Sequence, residues 1–121
     1  MNSKASSAVN LRTPLQKSVS INGAKLHYFE WLGAGAPILM AHGTGFHARC
    51  WDAVVSLLGD ARVIAVEHRG HGRSSKTPPY DWGTLGADMA GVVEALGLRE
   101  MTGVGPSLGA QVMVRAGFGH T

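Results

Sequence analysis

The sequence has a single cysteine, Cys50, in 121 residues. An internal disulfide is therefore excluded, and a reducing, cytoplasmic setting is the expectation. No apolar run reaches 18 residues, so the sequence encodes no helical membrane span and no membrane partner is expected. Residues 1–17 are polar and Ser-rich, without the apolar stretch of a secretory signal. Charge of one sign is scarce as well: 11 Lys+Arg stand against 8 Asp+Glu, a formal net charge of +3. No basic stripe forms, so nucleic acid is not an expected partner. Charged residues are only 16% while apolar ones are 45%, a balance that favours a packed core over a disordered chain. What is plentiful is glycine, 17 residues without a Gly-X-Y period. That excludes collagen and suits sharp turns between strands and helices.

The length is that of one domain, since domains commonly run to about 100–150 residues. Residues 1–16 read as a loose polar leader, and 17–121 as the folded part. Lys17–Ile21 and Ala24–Trp31 are strand candidates joined at Asn22-Gly23, a dipeptide that favours a type I′ hairpin turn. Gly33–Pro37 reads as a loop, and Ile38–Ala41 as a strand buried on both faces. Trp51, Val54, Val55 and Leu58 follow helical spacing before Gly59. Arg62–Val66 is a second buried strand, followed by a glycine-punctuated loop from His68 to Tyr80. Leu85, Met89, Val92, Val93 and Leu96 mark a helix that stops at Gly97. Met101–Gly105 is a short strand and Leu108–Arg115 opens another helix. A hairpin followed by β-α-β-α-β-α predicts an α/β fold: a mostly parallel sheet with helices on both faces and an antiparallel N-terminal hairpin. Such sheets bind ligands at the carboxyl ends of their strands. That rule selects 42–47, 67–74 and 105–109.

Gly105-Pro106-Ser107-Leu108-Gly109 is a G-x-S-x-G between a strand and a helix. A serine on so tight a corner is held in a strained backbone conformation with its hydroxyl lifted above the sheet. Glycines two before and two after keep the strand and helix from colliding. Ser107 is thus the candidate nucleophile, and the N–H of Leu108, at a helix start, a candidate oxyanion donor. His42-Gly43-Thr44-Gly45 follows the strand ending at Ala41. Its glycines allow close backbone approach, which makes Thr44 and Gly45 candidates for the other half of an oxyanion hole. His42 and Gly43 read as structural. In Glu67–Ser74, Arg69 reads as a loop residue whose guanidinium satisfies carbonyls or a carboxylate.

Those three motifs, in that order and at those separations, resemble the N-terminal half of a lidded, serine esterase- or lipase-like α/β-hydrolase. The resemblance implies acyl-ester, thioester or amide cleavage of a small-molecule substrate, without a cofactor. It also implies a triad in the order Ser, acid, His. Residues 108–121 contain no Asp or Glu, and their one histidine is His120. On a continuing helix it would lie about 20 Å along the axis from Ser107, far beyond the reach of a general base. The chain therefore reads as a truncated α/β-hydrolase fold, inactive as given, whose complete parent carries the activity. The alternative is a non-catalytic fragment or interaction remnant, with self-association through an exposed sheet edge.

Smaller departures from the family pattern are Glu67 in place of the commoner Asp, Pro106 before the serine, Gly103 in the strand and Ala110 in place of a frequent glycine. A serine at the elbow disfavours the halide- and epoxide-opening branches, which place Asp there. Two other readings are set aside. Gly103, Gly105 and Gly109 resemble a dinucleotide loop, but one that follows two βα units instead of opening the first. His42, His47, His68 and His71 could gather at one sheet edge, but no ligand spacing is completed and no metal is expected.

Overall fold

A computed structural model of the chain describes residues 13–43 and 45–117. Five strands form one sheet: β1 (Leu15–Ile21), β2 (Ala24–Trp31), β3 (Ala34–Ala41), β4 (Ala61–Val66) and β5 (Thr102–Val104), in the order β1-β2-β4-β3-β5. A 3-10 turn at Ala48–Trp51 leads into α1 (Asp52–Ser56); α2 spans Trp82–Ala95 and α3 Leu108–Arg115. No described helix is long and apolar enough to cross a membrane.

The hairpin turns at Asn22 (φ 51°) and Gly23 (φ 81°), the pair of left-handed residues a type I′ turn requires. β1 begins at Leu15, two residues inside the stretch read as a leader. β3 runs from Ala34, so most of the expected loop at 33–37 is strand. Ala34 pairs with Ala61, and a register shift before Ile38 absorbs Gly35 (φ +80°) and Pro37, which cannot donate to a ladder. The sheet is mixed, a parallel part joined to the antiparallel N-terminal hairpin. β1–β2 and β2–β4 pair antiparallel, while β3–β4 and β3–β5 pair parallel. The hairpin joins through β2 and β4, which places it beside the second buried strand.

Side chains alternate across the pleat and feed two cores. Leu39, Ala41, Ile64 and Val66 face α2 and α3, meeting Leu85, Met89, Val92, Leu108 and Val112. Met40, Val63 and Ala65 face the other way, with Phe29, Trp31 and Val55. Helices therefore cover both faces. Val54, expected on the buried stripe, is 44% exposed. The α-helical stretch there is only five residues long after a tighter 3-10 turn, which rotates Val54 outward.

This topology positions the site. From β3 the chain steps through α1 to β4 on one side, then through α2 to β5 on the other side of β3. The winding reverses at β3, and the crevice beyond the carboxyl ends of β3 and β5 is where such sheets bind ligands. Residues 42–46 and 105–107 leave those two strands.

Candidate active site

The corner between β5 and α3 is built from contacts that exclude side chains. A Cβ on Gly105 would lie 2.6 Å from the Gly109 carbonyl carbon, and one on Gly109 would lie 2.2 Å from the Ala41 oxygen. Strand, helix and the end of β3 touch through bare backbone. Between the glycines, Ser107 is one of two described non-glycine residues with positive φ (φ 49°, ψ −113°). Such a conformation costs on the order of 1–3 kcal/mol and persists only where its surroundings impose it. The residue is exposed, and its hydroxyl makes no hydrogen bond among the described residues. Pro106 is accommodated, its carbonyl accepting from the Gly109 N–H at 2.8 Å. Leu108 is the first residue of α3, so its N–H has no intrahelical acceptor.

The loop after β3 lies against this corner. A Cβ on Gly43 would stand 4.0 Å from the Pro106 oxygen, and one on Gly109 3.2 Å from the His42 oxygen. Gly45 is exposed with φ +82°. Its turn is closed by the Phe46 N–H donating to the Gly43 carbonyl at 3.1 Å. The fold thus brings His42 and Gly43 against the Gly105–Gly109 corner that carries Ser107, while Gly45 lines a separate cavity with Phe29, Phe46 and Glu67. Two sequence-derived positions, Thr44 and His120, lie outside the described residues.

His42 is fully buried. Its Nε2 accepts from the His68 N–H at 3.1 Å, so Nδ1 carries the proton and donates to the Gly43 carbonyl at 2.8 Å. His68 Nε2–H donates in turn to the His42 carbonyl at 3.0 Å. The rings of His42, His68 and His71 gather, with centroids 4.3–6.0 Å apart. Both nitrogens of His42 are nonetheless occupied, and no group of three or more potential ligands among the described residues could hold a metal.

Burial pushes the His68 imidazole down from 6.5 to about 3, with His42 adding to the effect. Burial also lowers His42, against the opposing bond to Gly43. The His68 ring stays neutral in the fold down to about pH 3, whereas in the unfolded chain it takes up a proton near pH 6.5. Its contribution to stability is therefore complete above about pH 6.5 and is lost as the pH falls towards about 3, and the lowered His42 acts in the same direction. Denaturant midpoints at pH 7.5 and pH 5 are expected to differ, with the acid value lower. Equal midpoints would contradict a neutral, buried His68.

Arg69 and Asp88 form a buried, bidentate pair, Nε–Oδ2 at 2.7 Å and Nη2–Oδ1 at 2.8 Å. The guanidinium also donates to the carbonyls of Thr77 and Asn22. It ties the loop after β4 to α2 and the hairpin turn, away from the serine. Glu67 is buried and accepts from the N–H groups of Ala48 (3.0 Å) and Arg73 (2.9 Å). It joins the loops after β3 and β4, and Gly72 gives it room: a Cβ there would sit 2.2 Å from the carboxylate.

Sequence reasoning left three of these roles unassigned. Asp88 had a signal, a carboxylate inside the apolar stripe of Leu85, Met89 and Val92, which demands a buried cation. The partners of Glu67 and His68 had none, because they depend on loops 19 to 26 residues away meeting across the sheet edge.

A strained serine corner between two glycines and a glycine loop thus meet at the switch point of this α/β sheet. Residues 38–120 match the model described as the alpha/beta hydrolase family, and the chain belongs to that family. It is 38% identical over 106 residues to a non-heme haloperoxidase of Rhodococcus erythropolis, covering 82% of this chain and 38% of that protein. An N-formylmaleamate deformylase of Pseudomonas putida is 36% identical over 104 residues, again covering 82% of this chain and 38% of the relative. Among solved structures, Epoxide Hydrolase A of Mycobacterium thermoresistibile superposes with a TM-score of 0.75 at 32% identity, covering 86% of this chain and 34% of that one. The chain spans well under half the length of these relatives.

Proposed function

We propose that this chain carries the nucleophile and oxyanion-binding elements of a serine acyl hydrolase acting on a small-molecule ester, thioester or amide. Ser107 attacks the acyl carbon, and the N–H groups of Leu108 and of the Thr44–Gly45 segment receive the developing oxyanion. The observation that carries the reading is the forced left-handed Ser107 between two glycines that admit no side chain. Relatives include a protein named for deformylation and one named for epoxide hydrolysis. A hydroxyl nucleophile favours the acyl branch: it forms an ester intermediate at a carbonyl carbon, whereas opening an epoxide ring suits a carboxylate nucleophile.

A serine at its ordinary pKa needs a base. Among the described residues none is hydrogen-bonded to the Ser107 hydroxyl, which favours a second reading for the 121 residues alone, as a scaffold without turnover. Both are tested together. In a protein that carries the remaining strands of the fold, a fluorophosphonate probe is expected to label Ser107 and to leave Ser107→Ala unlabelled. The 121-residue chain is expected to hydrolyse p-nitrophenyl esters at least about 10³-fold more slowly than a complete triad enzyme. Labelling that survives Ser107→Ala would refute the nucleophile, and fast Ser107-dependent turnover by the short chain would refute the second reading.

A further inference from the structure

We infer that His68 is a positioning residue for the oxyanion loop, an assignment that rests on the acyl-hydrolase reading of Ser107. Its backbone and its side chain grip the same neighbour from two directions. The His68 N–H enters the His42 ring at Nε2 (3.1 Å), and the His68 Nε2–H takes the His42 carbonyl (3.0 Å).

Each contact has a separate consequence. The first fixes the His42 tautomer, since a nitrogen that accepts cannot also carry the proton. Nδ1–H is then obliged to donate, and it donates to the Gly43 carbonyl at 2.8 Å. That carbonyl also accepts from the Phe46 N–H at 3.1 Å. A carbonyl held by two donors is fixed in direction, and its bond from Phe46 closes the turn that carries Gly45. That turn is the oxyanion loop of the proposed reading. The second contact secures the His42 carbonyl itself. That oxygen faces the elbow, where a Cβ on Gly109 would stand 3.2 Å from it. His68 thus connects three things: the end of β4, the loop after β3, and the backbone contact by which the Ser107 corner leans on β3.

The Arg69–Asp88 and Glu67 networks anchor the loop after β4 from its other side. They hold His68 at the end of a rigid segment, so its ring is an arm on a fixed post. Both bonds are buried, where an unmet partner is costly and the arrangement is correspondingly well determined.

An oxyanion donor acts on the transition state more than on the bound substrate, so a displaced loop lowers kcat and leaves KM nearly unchanged. His68→Phe keeps the ring volume and the backbone N–H but removes the Nε2 donor. In the complete active protein it is expected to lower kcat for an acyl ester about 30- to 100-fold with KM within about twofold. His68→Gln, whose amide nitrogen reaches about as far as Nε2, is expected to recover most of that loss. Amide hydrogen exchange at Phe46 follows the loop directly: it is expected to quicken about tenfold in His68→Phe and to stay near wild type in His68→Gln. If His68→Phe does not fold, the shorter His68→Asn replaces it against the same Gln control. Unchanged kcat together with unchanged Phe46 exchange would overturn the assignment, as would equal losses in the Phe and Gln variants. Failure of the underlying reading looks different: wild-type turnover would then be absent or insensitive to Ser107→Ala, and the role of His68 falls with it.

Discussion

Gly109→Ala is expected to destabilise the fold by about 3 kcal/mol or more, the upper range for overpacking. The added methyl would stand 2.2 Å from the Ala41 oxygen and 2.9 Å from its carbonyl carbon. Both are backbone atoms of a central strand. They cannot rotate aside as a side chain would, so relief requires α3 to move off the sheet. α3 supplies Leu108, Val112 and Met113 to the core, and displacing it opens that core. Gly35→Ala is the control. Gly35 has φ +80° with no atom within 4 Å of a Cβ, so its cost is conformational alone, about 1–2 kcal/mol. Urea midpoints of the two variants measure the difference. A Gly109→Ala protein no less stable than Gly35→Ala would show that the close approach at the elbow is not what it is taken to be.

Breaking the buried ion pair is the second large effect. The side chains of Arg69 and Asp88 are 2% and 5% exposed, and the two meet through two short hydrogen bonds. Asp88→Ala leaves the guanidinium buried without its counterion. A loss of about 3–5 kcal/mol is expected, as for other buried pairs deprived of one partner. Most of that is the penalty for an unpaired charge rather than the worth of the pair. The double variant Arg69→Met, Asp88→Leu removes both charges and is therefore expected to recover most of the stability. Equilibrium unfolding of Arg69→Met, Asp88→Leu and the double variant closes the cycle, with Asp88→Ala measured beside them. A double variant as unstable as Asp88→Ala would mean that the guanidinium's bonds to Asn22 and Thr77, not its charge, are what matters.

Much of the fold could be read in advance, for local reasons. The Asn22-Gly23 turn, the buried runs at Ile38–Ala41 and Arg62–Val66, and the helix with Leu85, Met89 and Val92 inside depend on neighbours close in sequence. Each pattern has a direct physical cause in chain geometry. Gly33–Pro37 and Val54 were misplaced for the opposite reason. A glycine and a proline mark a loop by their intrinsic preferences, yet pairing with β4 draws Ala34 into the ladder and a register shift takes up the misfit. Val54 keeps helical spacing, but a 3-10 turn before it changes the rotation per residue.

The amino-acid order alone marked the candidates for chemistry: a serine between glycines at a strand-to-helix junction, and a glycine loop after a buried strand. Those are short-range facts, set by which side chains a backbone corner can tolerate. The tertiary structure decided what they face. The reversal of winding at β3 brings His42 and Gly43 against the corner that carries Ser107, and the end of β4 delivers His68 to His42, because contacts across a sheet depend on strand order. Strand order is a property of the whole packed chain, since each strand takes the neighbour that buries both cores together.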